Sequence, residues 1–162
     1  MTKELIILLA CYNDEDDSYE AISLTHGILR RRFLDELYFY LKDYVIKYIP
    51  SNYKFGNYVP DIIFIPKLVV HARTFLLCLS QDSAVGYDLI KKNFGIGLRF
   101  PRVMKVREDK KVNEICTSKK IISLYNNQNF TQSLDYEQIG DGPVEKEGND
   151  NMYNYDLPEW DK

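Results

Sequence analysis

The sequence has little of what builds a metal centre or a disulfide framework. Its three cysteines, Cys11, Cys78 and Cys116, lie far apart and match no zinc or disulfide spacing. Each sits in or beside an apolar segment, where a thiol behaves as a small hydrophobe. The two histidines, His26 and His71, are also remote from one another, so no paired metal ligand is expected. These scarcities suit a reducing compartment. Long apolar runs are missing too. The longest, Leu5 to Ala10, falls well short of the roughly 18 residues that cross a bilayer, and it follows Lys3 and Glu4. Neither a membrane partner nor a secretory leader is expected. No segment repeats, which excludes a solenoid.

What is present is apolar and aromatic. Hydrophobic residues make up 45% of the 162-residue chain, and thirteen tyrosines and eight phenylalanines favour strands and stacking surfaces. The net charge of −3 conceals a split. Residues 129–162 hold nine acids and two lysines, a net of −7, which leaves the first 128 residues at +4. A mildly basic body with an acidic tail fits a nucleic-acid-binding domain.

Periodicity divides the body into short elements. Glu4 to Tyr12 reads as a buried strand, and Asn13 to Ser18 as an acidic, solvated turn. Arg31 to Ile46 has helical spacing, with Phe33, Leu37, Tyr40, Leu41, Tyr44 and Val45 on one stripe. Pro50 and its Tyr, Asn and Gly followers predict an extended loop over 47–60. Asp61–Ile65 and Leu68–Ser80 are strand-like around Pro66, and Gly95–Arg107 is a further strand. Thr117 or Ser118 can cap a short helix running to Tyr125. From Asn129 the chain turns polar and acidic and is expected to be a flexible tail. Separated β segments with intervening helices suit a mainly β architecture of the OB type, a Greek-key β-barrel.

The richest chemistry lies between Lys91 and Lys111, with eight Lys or Arg and only Glu108 and Asp109 against them. In LRFPRVMKVREDKK, Arg99, Phe100, Arg102, Lys105 and Arg107 interleave with apolar residues. Such a strand offers planar guanidiniums to phosphates and a ring to a sugar or base. An exposed basic strand with an ordinary Arg107–Asp109 salt bridge is the competing reading.

That segment resembles motif VI of the eukaryotic replicative-type ATP-dependent DNA ligases, the DNA ligase I family. LLACYNDEDDSYEAI, PDIIFIPKLVV and ICTSKKIISLYNNQ resemble three further family blocks, in family order, over roughly residues 5–128. The resemblance implies a C-terminal OB domain over residues 1–128, without its first strand, and an acidic tail over 129–162. It implies a complete ligase that uses ATP and Mg2+. A lysine of a separate adenylation domain takes AMP, passes it to the 5′-phosphate at a nick, and the 3′-hydroxyl then closes the strand. Arg107 and Lys110 are expected on the pyrophosphate, with Asp109 orienting them. Arg99, Phe100, Arg102 and Lys105 are expected on DNA, with Phe100 packed beside the nick.

Departures accompany the match. Val70 and His71 replace the family's Trp-Glu, Leu76 replaces an acid, and Arg30 to Arg32 replace a polar stretch. No K-x-D-G adenylation motif occurs, so this chain alone is expected to be inactive and not to bind ATP or Mg2+. Its expected partners are nicked duplex DNA and an adenylation domain, in the nucleus, with an organellar copy as the alternative. A stand-alone nucleic-acid-binding OB module without catalysis is the second reading. The OB domain of an mRNA capping guanylyltransferase is the third, and it fits the LRFPR and ACYNDED blocks less well.

Overall fold

A computed structural model describes residues 6–26 and 31–128. The acidic tail expected over 129–162 lies outside the described residues. The body is mainly β with two helices, as expected. The elements are β1 (Ile6–Asn13), β2 (Ser18–His26), α1 (Arg31–Leu41), β3 (Val45–Ile46), β4 (Tyr53–Lys54), β5 (Ile63–Phe64), β6 (Val70–Arg73), β7 (Leu76–Ser80), β8 (Gly95–Arg99), β9 (Arg102–Val106) and α2 (Ser118–Asn127).

β1 and β2 form an antiparallel hairpin, and their apolar, branched residues supply its core face. The acidic turn is closed by its own side chains. Asn13 Oδ1 accepts from the Glu15 N–H at 3.0 Å, and the Ser18 hydroxyl donates to Asp16 at 2.6 Å. Between Leu9 and Ala10 the register slips by one residue, so Ile22 has no partner across the ladder. The bulge breaks strict alternation and buries Ala21 and Ile22 in succession. β4 adds in parallel to the far edge of β2. There Tyr12, Tyr19, Tyr53 and Phe55 form a row with ring centroids 5.5 to 6.1 Å apart.

β7 pairs with β8, and β6 with β9, both antiparallel. Side-chain hydroxyls of β2 reach β8 and the turn beyond it. Ser23 Oγ donates to the Leu98 carbonyl at 3.3 Å, and Thr25 Oγ1 to the Pro101 carbonyl at 3.1 Å. Ser83, fully buried, donates at 2.6 Å to the Ile96 carbonyl. These bonds satisfy polar groups that would otherwise be costly inside the core. Among the described residues the strands make four separate sheets and no closed barrel.

The core gathers Leu9, Cys11, Ile22, Leu77, Val85, Ile96, Ile121 and Tyr125. Burial pushes the Cys11 thiol up to about 12, so it stays protonated and packs as an apolar group. Gly95 lets β8 approach this core, because a Cβ there would lie 2.3 Å from the Ser83 carbonyl oxygen. α2 begins on Thr117, whose side chain accepts from the Lys120 N–H, and buries Ile121 and Tyr125. The Gln128 amide then clasps both backbone groups of Leu77, at 3.0 and 2.7 Å.

Five expectations are corrected. The helix predicted over Arg31–Ile46 stops at Leu41, followed by a 3-10 turn over Lys42–Tyr44. Val45 and Ile46, both β-branched, pair instead with β5, and Tyr40, Tyr44 and Val45 of the predicted stripe are exposed. The 47–60 loop holds the short strand β4, and the strand predicted at Asp61–Ile65 shrinks to Ile63–Phe64. Leu68–Ser80 divides at Thr74–Phe75, and Gly95–Arg107 divides at Phe100–Pro101. The two breaks face each other. Pro101 has no N–H to give a ladder, and Thr74 Oγ1 donates to the Leu76 and Arg99 carbonyls there.

Candidate nucleic-acid interface

The break in the β8–β9 strand sets the geometry of the basic segment. Phe100 has φ +52°, a left-handed conformation that is uncommon for a bulky side chain and marks local strain. Its ring is 70% exposed, with the Arg99 guanidinium 4.7 Å from the ring centroid. Pro101 then shifts the strand onto a new partner. Arg102 lies opposite Arg73, and Lys105 opposite His71.

A second bulge occurs here, where Met104 is extra between the Val103–Ala72 and Lys105–His71 pairs. The polar side chains His71, Arg73, Arg102 and Lys105 are all exposed, while Val70, Ala72 and Val103 pack on the core. Among the described residues no carboxylate pairs with Arg73, Arg102 or Lys105. Like charges directly opposite on a ladder repel. The Arg73–Arg102 pair is therefore a cost to folding that an anion would relieve.

The strand ends on a corner that carries Arg107, Glu108 and Asp109. Arg107 donates to Asp109 from Nε at 2.7 Å and from Nη2 at 2.6 Å, a two-pronged pair. The Arg107 hydrogen bonds hold the Asp109 carboxyl down at about 2. Two of the five guanidinium N–H donors are used, which leaves the rest for another anion. Lys110 closes the turn through its N–H to the Arg107 carbonyl at 3.3 Å. Glu108 turns the other way, toward α1, and accepts from the Tyr40 hydroxyl at 3.2 Å. A small cleft between α1 and β9, lined by Phe33, Leu37, Tyr40, Met104 and Val106, lies beside it. The helix thus braces the corner that carries Arg107 and Asp109.

The Asp109 pairing makes a pH prediction. A depressed carboxylate contributes above its ordinary value near 4 and is lost as pH falls toward 2. Carboxyl NMR titration should show Asp109 protonating well below the ordinary aspartate range, and Arg107→Ala should return it to that range. An ordinary titration in the unsubstituted chain would contradict the two-pronged pair.

Arg99, Phe100, Arg102 and Lys105 are thus strung along one exposed break and strand, and Arg107, Asp109 and Lys110 along the turn that follows. The sequence reading missed Arg73 and Phe75. The signal was the alternation of His71, Arg73 and Phe75, which puts two exposed groups on one side of β6 and a third at the joint that follows it. Among the described residues no three His, Cys, Asp or Glu side chains are grouped to hold a metal ion, and no helix is long and apolar enough to cross a membrane.

No family model matches the chain. It is 33% identical over 122 residues to DNA ligase 1 of Arabidopsis thaliana, which covers 75% of this chain and 15% of that protein. It is 31% identical over 126 residues to DNA ligase 1 of Schizosaccharomyces pombe, covering 75% of this chain and 16% of that one. A DNA ligase of Staphylothermus marinus is 30% identical over 122 residues, covering 75% and 20%. The chain spans a fifth or less of the length of these relatives. The archaeal match is nearly as good as the eukaryotic ones, so the kinship is broader than the eukaryotic replicative type. Over three quarters of its length, this chain is homologous to a segment of the DNA ligases.

Proposed function

We propose that the chain is the OB-type C-terminal domain of an ATP-dependent DNA ligase, and that its β6–β9 face holds nicked duplex DNA. One observation carries the reading. The cations Arg73, Arg102 and Lys105 and the strained, exposed ring of Phe100 lie along one strand pair that runs directly into the Arg107–Asp109 corner. Cations suit phosphates, and a ring suits a sugar or base face, so the face has the two kinds of group that a duplex asks for.

At the corner, Arg107 and Lys110 would stabilise negative charge on pyrophosphate as it leaves ATP, with Asp109 fixing the guanidinium plane. ATP supplies the adenylyl group, and Mg2+ stays with ATP and the adenylation domain in this reading. The lysine nucleophile belongs to that domain. The nucleus, during replication and repair, is where such a domain would work.

Titrating the chain with a nicked duplex at several salt concentrations tests the DNA half of the proposal. Each phosphate contact adds about 0.9 to the slope of log affinity against log salt. Arg102→Ala should therefore lower the slope by about one. Phe100→Ala should weaken binding and leave the slope nearly unchanged, because a packed ring releases no counterions. Equal slope changes for the two variants would refute the role given to Phe100.

A further inference from the structure

The register that brings β6 to β9 also brings Phe75 to Phe100. The Phe75 N–H donates to the Arg99 carbonyl at 3.0 Å, and Thr74 Oγ1 donates to the same carbonyl at 2.8 Å. The joint between β6 and β7 therefore sits level with the joint between β8 and β9. Each joint presents one phenylalanine, 78% exposed at Phe75 and 70% at Phe100. Rings this exposed do little for the core, and here two of them adjoin at one break in the strands instead of lying scattered singly. Their surroundings are cationic. Arg99 covers Phe100, and the Arg73–Arg102 pair begins beside both joints. Apolar rings framed by guanidiniums match the alternation of base faces and phosphates better than they match an apolar protein surface.

We infer that Phe75 is a second aromatic contact to DNA and that, with Phe100, it makes this face prefer an interrupted duplex to a continuous one. The inference rests on the DNA-binding reading above. Phosphate contacts are nearly the same on nicked and continuous duplexes, so Arg73, Arg102 and Lys105 cannot tell them apart. A ring wedged at a base step must unstack that step, which is costly in a continuous helix and cheaper where stacking is already interrupted. Two rings at one level engage both sides of such a step.

The test uses the 162-residue chain, a 5′-phosphorylated nicked duplex and the same duplex without the nick, with 2-aminopurine opposite the nick. Unsubstituted chain should bind the nicked duplex more tightly and brighten the 2-aminopurine as its step unstacks. Phe75→Ala should weaken nicked-duplex binding by roughly 5- to 100-fold, narrow the nicked-to-continuous ratio toward one, and dim the aminopurine response. The salt slope should not change. Phe75→Tyr, which keeps a ring, should restore the ratio and the brightening. Phe75→Ala with an unchanged ratio and brightening, while Phe100→Ala lowers both, would overturn the inference and leave the DNA-binding reading standing. Folded chain that binds neither duplex would overturn both.

Discussion

In a ligase assembled from this chain and an adenylation domain, Arg107→Ala should slow self-adenylation by about two to three orders of magnitude. It should leave the sealing of a pre-adenylated nick almost unaffected. The size follows from the chemistry. Charge develops on the departing pyrophosphate, and a preplaced cation lost at such a site costs about 3–4 kcal/mol of transition-state stabilisation. The selectivity follows from the geometry. Arg107 lies beyond the end of β9, apart from the Phe75–Phe100 joints, and its guanidinium is held by Asp109. Asp109→Asn should give a smaller loss in the same step, because one prong of the pair survives. Single-turnover assays with labelled ATP, and separately with adenylated nicked DNA, measure the two steps. Equal loss in both would make Arg107 a structural residue of the turn.

The second large effect is on folding. Ile96→Ala should destabilise the domain by about 2–5 kcal/mol, whereas Phe75→Ala should change stability by less than about 0.5 kcal/mol. Ile96 is fully buried between Val85 and the glycines of β8, and its N–H bonds to the Val85 carbonyl at 2.8 Å. Truncation there leaves a cavity that the surrounding backbone cannot close. Phe75 has most of its ring in solvent, so truncation exposes nothing new. Urea denaturation measures both. A large loss on truncating Phe75 would mean that the ring is packed, and would remove it from the binding face. The contrast separates the residues that build the fold from those that it displays.

The sequence showed β1, the turn after it and α2, because their signals are local, while the return strand β2 was not read. Ile6 to Ala10 is continuously apolar, Asn13 to Ser18 is turn-forming, and Thr117 caps a helix whose Ile121 and Tyr125 share a face. The basic segment was legible by composition and by its resemblance to motif VI. Its shape was not. The joint at Phe100 depends on Pro101 and on a threonine hydroxyl supplied from 25 residues away in the chain. The partners of Arg102 and Lys105 depend on a register slipped by one residue at Met104. The end of α1 was misplaced for a similar reason. Val45 and Ile46 fit the helical stripe, but pairing with Phe64 and Ile63 decides their state. Tertiary pairing of short strands is non-local information, and periodicity within one window does not contain it.

In the function proposed above, one face, from Phe75 and Phe100 across Arg73 and Arg102 to Lys105, holds interrupted duplex DNA. Amide and arginine side-chain NMR of the chain, titrated with a nicked duplex at low salt, tests it most directly. Shifts should cluster at His71 to Phe75 and Arg99 to Lys105, with the strand β1 and the helix α2 unmoved. Shifts centred on the Tyr12–Tyr53 aromatic row or on α1, with the β6–β9 strands silent, would contradict it.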